Sequence, residues 1–315
     1  MFDLITIGRI SVDIYGQEQG AGLEDQQSFK KAVGGSPTNV AIGTARYGHR
    51  VGLITGVGDD SFGKYALSEL RKFKVETEFV SMYPGKTPVV IAGLKNPDDP
   101  ELVFYRDKDA PDTQMQLSPA MEFAVSKSKF FWYTGSTLAN PKLRSTVHSL
   151  LNSRALDNGE ENIFDLDFRP SFWNDQADAH LQISAALKYS QVVIGNRIEC
   201  SVATGLPSTS DSKEFADSLL ASGVRLAIVK DGANGVLVAD KSGSRVIPGI
   251  KVALRCGLGA GDAFGAGLVH GLLNNWTPAE SVEFANAAGA HVASQLMCSD
   301  AMPTEIEVKN IMGTK

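Results

Sequence analysis

The sequence lacks the features that mark several large classes of protein. Its 315 residues include three cysteines, an odd number without any CxxC spacing, which argues against a disulfide framework or a cysteine zinc site. Lysine and arginine never run beyond two residues and the net charge is −6, so neither nucleic acid nor a membrane surface is an expected partner. No apolar run approaches the roughly 18 residues of a membrane-spanning helix. The first residues, Met1–Ile7, carry neither the basic segment nor the cleavage site of a signal peptide, and together these absences predict a cytoplasmic protein.

The sequence instead has a regular alternation of short apolar runs and helical patterns. The apolar runs, which predict buried strands, cover residues 4–10, 51–55, 129–133, 162–166, 191–194 and 225–229. The helical patterns cover residues 37–47, 62–73, 177–189, 213–222, 260–274 and 278–295, with another that runs from Pro141 to a stop at Asn158-Gly159. The predicted fold class is therefore α/β, with a mostly parallel central sheet and helices on both faces.

Two segments, at about 13–33 and 87–108, break this alternation. The first lacks a helical stripe, and the second has the pattern of a hairpin with a turn at 96–100. We interpret them as a small β lid inserted into a single domain that spans residues 1–315. A further hairpin is expected at 232–247.

A cluster of small residues near the end of the chain precedes an apolar helical pattern. Gly259, Ala260 and Gly261 leave almost no side chain over the backbone, and a helix start offers unpaired N–H groups that bind anions. Asp262 is placed to take a proton from a hydroxyl as it attacks a phosphoryl group. The alternative is a helix cap in which Asp262 merely bonds first-turn amides. Glycines also recur inside the helical pattern, at 265, 267 and 271, where we expect a close approach of the helix to the sheet.

An earlier glycine pair also precedes a helical pattern. Gly34-Gly35 allows a turn with positive φ, Ser36 can cap the helix and Pro37 suits its first position. Asn39 then falls in the first turn, where α/β sheets bind ligands. A plain turn and cap is the alternative.

Polar residues follow three of the predicted strands. Pro170 favours an extended backbone at Arg169, which directs the guanidinium group outward, where it can bind a carboxylate or phosphate. The alternative is an internal ion pair between Arg169 and an aspartate. Asn196 and Glu199 either meet a phosphate through magnesium and water or form a helix start. The stretch 230–235 either lies against a nucleotide or forms a hairpin turn.

Four motifs, in this order and spacing, resemble those of the PfkB family of ribokinase-like carbohydrate kinases. The motifs are Gly34-Gly35-x-x-x-Asn39, Gly56-x-Gly58-Asp59-Asp60-x-Phe62-Gly63, Asn196-x-x-Glu199 and Gly259-Ala260-Gly261-Asp262-Ala263-Phe264. The resemblance covers the chain from Leu4 to about Pro303. It implies a ribokinase-like fold, with a β lid that closes over a sugar, and transfer of a phosphoryl group from ATP with Mg²⁺ as cofactor.

The resemblance implies a role for each matching residue. Asp262 is the base, and the amides of Gly259, Ala260 and Gly261 form the anion hole. The implied sugar ligands are Asp13, Gly34, Gly35 and Asn39, with Arg106 and Arg169 for a carboxylate on the sugar. The nucleotide-binding set is Asn196, Glu199, Lys230, Gly232, Gly235 and Asn286, with Glu199 meeting Mg²⁺ through water.

The substrate class and two further properties are also implied by the resemblance. Phe104-Tyr105-Arg106 and the motif at 167–173 are most similar to kinases of keto-deoxy sugar acids. The first candidate substrate is 5-dehydro-2-deoxygluconate. The alternatives are 2-keto-3-deoxygluconate and a fructokinase-type sugar. A non-catalytic sugar- or nucleotide-binding regulator is the rival from another class. Cys256-Gly257 supply no carboxylate where many members carry Asp-Thr, so a monovalent cation as cofactor is doubtful. A homodimer through the lid is the expected assembly.

Overall fold

The computed structural model describes residues 1–98, 100–156 and 159–313. Its strands, numbered in chain order, are β1 (Leu4–Ile7), β2 (Ser11–Gly16), β3 (Phe29–Gly34), β4 (Val51–Gly58), β5 (Val80–Tyr83), β6 (Val89–Gly93), β7 (Glu101–Tyr105), β8 (Phe130–Thr134), β9 (Glu161–Asp165), β10 (Val192–Asn196), β11 (Leu226–Lys230), β12 (Val236–Asp240) and β13 (Gly243–Ile247). Its α-helices are α1 (Ser36–Arg46), α2 (Ser61–Lys72), α3 (Pro119–Lys127), α4 (Gly135–Leu138), α5 (Pro141–Asn152), α6 (Gln176–Ala186), α7 (Arg197–Thr204), α8 (Ser212–Ala221), α9 (Ala260–Leu273), α10 (Pro278–Ala293) and α11 (Glu305–Gly313).

The chain forms two compact units. The first unit comprises Met1–Ile7 and Gln116–Gly249, and the second comprises Gly8–Met115 and Ile250–Lys315. None of the helices in the described part of the chain has the length and apolar character needed to cross a bilayer.

The first unit contains a sheet in the order β13-β12-β11-β10-β9-β8-β1. Strands β1 and β8 to β11 are parallel, whereas β12 and β13 are antiparallel and form the expected hairpin. Aromatic side chains fill the centre, where the rings of Tyr133 and Phe164 stack with centroids 4.5 Å apart. The predicted α/β fold with a mostly parallel sheet is confirmed.

The second unit contains the parallel pair β4–β5 and a separate sheet in the order β3-β2-β6-β7. The separate sheet, which we call the β element, is built from the two segments that break the strand–helix alternation. Asp99, which belongs to the turn predicted at 96–100, lies outside the described residues. The predicted β element is present, and its action as a lid stays a prediction.

Helices α9 and α10 of the second unit pack in very close contact. A Cβ atom on Gly267 would lie 2.9 Å from Ala285 Cα, and one on Gly271 would lie 2.7 Å from Ser281 Cβ. Both partners belong to α10, so at these two glycines the expected approach to the sheet is wrong, and the close neighbour is a second helix. Glycine is required there because no side chain fits between the two backbones.

Several element boundaries differ from the sequence patterns. The first strand ends at Ile7 and not at Ile10, because Gly8 has a φ of 140° and breaks the extended run before β2. Helix α5 ends at Asn152, well before the expected stop; Asn158 of that stop lies outside the described residues. The patterns do not predict α3, α4, α11 or β5, and they give the start of α7 only as the alternative at Asn196 and Glu199.

Candidate active site

Asp262 lies in the first turn of α9, directly after a backbone turn that only glycine adopts readily. Gly259 is the residue before the helix and has a left-handed φ of 83°. Asp262 is partly exposed, and its Oδ2 accepts a hydrogen bond from Asn39 Nδ2 at 2.7 Å. The expected juxtaposition of a carboxylate with the start of a long helix is therefore present in the second unit.

Asn39 has one half of its amide engaged and the other half unpaired. Its Nδ2 bonds Asp262, whereas its Oδ1 is buried and accepts no hydrogen bond from the described residues. Gly35, with a φ of 104°, turns the chain into α1, and a Cβ there would overlap the carbonyl of Arg9. The expected cap by Ser36 is wrong, because Gly35 occupies that position without a side-chain bond. A buried acceptor without a donor suits a hydroxyl of a bound ligand.

Asp13 is a buried carboxylate on β2. Its Oδ1 accepts a hydrogen bond from Ser11 Oγ at 2.6 Å, and its Oδ2 lies 3.3 Å from the Tyr15 hydroxyl. A Cβ on Gly34 of β3 would overlap the carboxylate, so glycine gives it room. Burial raises the pKa of Asp13 to about 6, in spite of the hydrogen bonds and the charge of Arg9, which lower it.

The backbone amides at the start of α9 include one that is partly engaged. The N–H of Ala260 donates to the carbonyl of Gly257 over a long 3.4 Å, and the N–H of Ala263 donates to Gly259 at 2.9 Å. Gly261 is exposed, while Gly259 and Ala260 are half-buried. The helix dipole and the solvent-accessible backbone from Gly259 to Gly261 favour an anion at this end.

Arg106 follows β7 and is held by an acid. Its Nε and Nη2 each lie 3.0 Å from Oδ2 of Asp112, a carboxylate that is completely buried. This two-point pairing fixes the guanidinium plane. No sequence motif predicts a role for Asp112, although its carboxylate orients Arg106.

Arg169, in the first unit, is paired with a nearby aspartate. Its Nε donates to Asp167 Oδ1 at 2.9 Å, and Ser136 Oγ donates to Asp167 Oδ2 at 2.6 Å. Asp167 is buried and has a φ of 28°, an unusual backbone conformation for a residue other than glycine. The backbone at Arg169 is extended, as expected before Pro170. The alternative prediction, an ion pair between Arg169 and an aspartate, is confirmed, with Asp167 as the partner.

The other first-unit candidates lie at the carboxyl ends of adjacent parallel strands. Asn196 ends β10 and is in register with Lys230 at the end of β11. Asn196 and Glu199 cap α7 reciprocally: Asn196 Oδ1 accepts from the Glu199 amide at 2.9 Å, and Glu199 Oε2 accepts from the Asn196 amide at 2.7 Å. The helix start that stood as the alternative is therefore present.

Two glycines and an asparagine complete the candidate set. Gly232 begins a short turn with a φ of 53°, and Gly235 ends it with a φ of 95°. A Cβ on Gly235 would overlap the carbonyl of Ile247, so this position requires glycine. Asn286, of the second unit, lies within α10 and is half-buried.

Comparison with known proteins identifies the family. Residues 1–305 match the model of the pfkB family of carbohydrate kinases. The chain is 30% identical over 314 residues to a 5-dehydro-2-deoxygluconokinase of Geobacillus kaustophilus, which covers 98% of this chain and 93% of that one. It is 28% identical over 319 residues to the protein of the same name from Clostridium tetani, covering 99% and 93%.

Solved structures share the fold along the whole chain. A PfkB protein from Polaromonas has a TM-score of 0.85 at 25% identity, with 98% of this chain and 99% of that one covered. An Escherichia coli structure described as a ribokinase II, with ATP and Mg²⁺, has a TM-score of 0.88 at 19% identity and covers 100% of both chains. These matches confirm the ribokinase-like fold and the resemblance carried by the four motifs. The chain belongs to the pfkB family of carbohydrate kinases and is an ATP-dependent sugar kinase.

Proposed function

We propose that the chain transfers the γ-phosphoryl group of ATP to a primary hydroxyl of a keto-deoxy sugar acid, with 5-dehydro-2-deoxygluconate as the first candidate. The observation that carries the proposal is Asp262 at the start of α9, with its carboxylate 2.7 Å from the amide of Asn39. The two curated relatives named above are 5-dehydro-2-deoxygluconokinases, and this name supports the choice of sugar.

Asp262 is proposed as the general base. Asn39 fixes one carboxylate oxygen through a charge-assisted hydrogen bond, which holds the side chain in one orientation. The base accepts the proton of the sugar hydroxyl as its oxygen bonds the phosphorus atom and the bond to ADP breaks. The amides of Gly259, Ala260 and Gly261 are proposed to stabilise the charge on the phosphoryl oxygens as it moves.

The sugar is proposed to bind through polar groups of the second unit. The unpaired Oδ1 of Asn39 suits a sugar hydroxyl, and the Asp13 carboxylate can accept another. Gly34 leaves room for the Asp13 carboxylate and Gly35 allows the turn into α1, so both glycines are proposed to shape the sugar site. Positioning of this kind converts binding energy into a favourable attack geometry.

The carboxylate of the sugar is proposed to bind arginine. Arg106 and Arg169 are both oriented by aspartates, so their guanidinium groups need little reorganisation when a carboxylate binds. Neutral sugars lack the matching charge, so the two arginines favour an acid.

The nucleotide is proposed to contact Asn196, Glu199, Lys230, Gly232, Gly235 and Asn286. Carboxylate and amide oxygens, as Glu199 and Asn196 carry, are the hard ligands that Mg²⁺ prefers, and Mg²⁺ usually keeps several waters when it binds with phosphates. Glu199 would hold the ion through water. When bound, Mg²⁺ neutralises charge on the phosphates.

A substrate panel tests the proposal. Release of ADP, coupled to NADH oxidation, is measured with 5-dehydro-2-deoxygluconate, 2-keto-3-deoxygluconate, fructose, ribose and adenosine, each with Mg²⁺. We expect the highest kcat/KM with 5-dehydro-2-deoxygluconate. A higher value with fructose or adenosine would overturn the sugar-acid assignment, and binding of sugar without turnover of any would favour a regulator.

A further inference from the structure

Three side chains of β2 form a polar row inside the second unit. Alternate residues of a strand share one face, which puts Ser11, Asp13 and Tyr15 together, and all three are buried. Ser11 bonds one oxygen of Asp13 at 2.6 Å, and the Tyr15 hydroxyl lies 3.3 Å from the other. The same hydroxyl lies 3.0 Å from Sγ of Cys298, which is 283 residues away in the sequence.

Cys298 connects this row to the turn before α9. Its side chain is buried in a cluster with Tyr15, Ala32 and Ala92 of the β element. A Cβ atom on Gly259 would lie 2.6 Å from the Cys298 sulfur, so sulfur and turn are in direct contact. Tyr15 therefore bridges the Asp13 carboxylate to a residue packed on the turn of the proposed anion hole.

The Tyr15 hydroxyl has one proton and two acceptors. The shorter contact is to sulfur, a weak acceptor, and the longer one is to a carboxylate, a strong acceptor when ionised. A proton shared in this way stabilises the carboxylate less than a proton donated to it alone. The thiol consequently limits how strongly the phenol supports the charge of Asp13.

We propose that Tyr15 is a positioning residue that orients the Asp13 carboxylate for the sugar, and that Cys298 tunes it by competing for the same phenolic proton. The inference rests on the proposed role of Asp13 as a sugar ligand. It adds two residues that none of the four family motifs contains.

The surroundings of Asp13 make its charge sensitive to small changes. Burial raises its pKa to about 6, with Asp262 adding to the rise and Arg9 opposing it, and Tyr15 and Cys298 are the other titratable neighbours. The Cys298 pKa is raised well above its ordinary value, mainly by burial, so the thiol stays neutral around pH 7. Asp13 is therefore the group whose ionisation responds to the shared proton near neutral pH.

The titration of Asp13 tests the proposal without any ligand. Enzyme labelled with ¹³C at aspartate carboxyl groups is titrated by NMR, and the Asp13 signal is assigned by its loss in Asp13→Asn. We expect Tyr15→Phe, which keeps the ring but removes the donor, to raise the midpoint by about one pH unit, a tenfold change in proton affinity. Cys298→Ala, which removes the competing acceptor, should lower the midpoint by roughly half as much.

The opposite directions distinguish proton sharing from general loosening of the core. Tyr133→Phe is the matched control, because its buried hydroxyl bonds Ser190 in the first unit at 2.6 Å, and it should leave the Asp13 midpoint unchanged. Unchanged midpoints in both test variants, or shifts in the same direction, would overturn the proposal. Cys298→Ala retains the phenol, so its shift decides the matter if Tyr15→Phe does not fold.

Calorimetry with 5-dehydro-2-deoxygluconate and with fructose completes the test at pH 7. We expect sugar binding to weaken about three- to tenfold in Tyr15→Phe, the range of a shared hydrogen bond to a charged group. Asp13→Asn should weaken it further. Wild-type affinity in Asp13→Asn would overturn the sugar role of Asp13, whereas loss in Asp13→Asn with no change in Tyr15→Phe would overturn only the role of Tyr15.

Discussion

Replacement of Asp262 by asparagine separates catalysis from binding at the proposed base. The side chains are nearly the same size, and the new amide can turn its oxygen toward Asn39, which keeps a hydrogen bond where the 2.7 Å contact now lies. Changing a charge-assisted bond to a neutral one costs about 1 kcal/mol. A change of that size alters sugar affinity by less than about tenfold.

Loss of the base has a larger effect. General bases contribute about 10² to 10⁴ in rate, and each factor of ten corresponds to 1.36 kcal/mol, so turnover should fall by at least ~10², or about 2.7 kcal/mol. The catalytic effect therefore exceeds the binding effect. Asp262→Asn should lower kcat strongly while the dissociation constant of the sugar changes little.

Coupled ADP release and sugar calorimetry on the same preparation measure both quantities. Asp59→Asn is the control, because that carboxylate is 78% exposed and its nearest cation, Lys64, is 4.0 Å away. The control should keep wild-type turnover. More than a tenth of wild-type kcat in Asp262→Asn would refute the base assignment, and a parallel loss of sugar affinity would assign the residue to binding.

Three further predictions address the substrate, the backbone and the response to acid. Arg169→Ala should weaken calorimetric binding of 5-dehydro-2-deoxygluconate by roughly ten- to a hundredfold and that of fructose little, since only the acid uses a charged partner; equal losses would contradict the carboxylate role. Gly35→Ala should lower the free energy of unfolding by more than Gly48→Ala. Both glycines have a positive φ, which costs an alanine about 1–2 kcal/mol, but only at Gly35 would the new Cβ also overlap a carbonyl, that of Arg9. Equal losses in urea denaturation would contradict the clash. Burial, with a smaller effect of a neighbouring histidine, lowers the pKa of His270 to about 4. In the unfolded chain this histidine has a pKa near 6.5 and binds a proton first, so stability should fall as the pH drops from about 6.5 to 4. The urea midpoints of wild type and His270→Asn should converge across that range, and parallel curves would contradict the prediction.

The fold is predicted well where the signal is local. Buried parallel strands form continuous apolar runs, and the runs at β8 to β11 locate these strands to within about two residues. The break after Ile7 is missed because Gly8 interrupts the extended conformation without interrupting the hydrophobic pattern. The start of α7 stays one of two alternatives in the sequence, because the capping-box spacing of Asn196 and Glu199 suits a helix start and a phosphate contact equally.

The site is predicted where consecutive residues define it. The glycines before Asp262 and the pair before Asn39 act within a single turn, so their spacing is enough to predict that a helix starts at each place. The contacts that hold the site come from distant parts of the chain. Two examples are the contact of the Tyr15 hydroxyl with the Cys298 sulfur and the hydrogen bond between His49 and His270, at 2.8 Å. A single sequence predicts neither contact, because local sequence patterns do not show which distant residues meet after folding.

The close packing of α9 on α10 has a mechanical consequence for the end of α9 that carries Asp262. At Gly267 and Gly271 no side chain of α9 separates the two helices, so the backbones pack directly there. Sliding or rolling of α9 would make its backbone overlap with that of α10, so the helix that holds Asp262 is rigid. If Asp262 is the base, adjustment to sugars of different length must then come from parts of the protein other than α9.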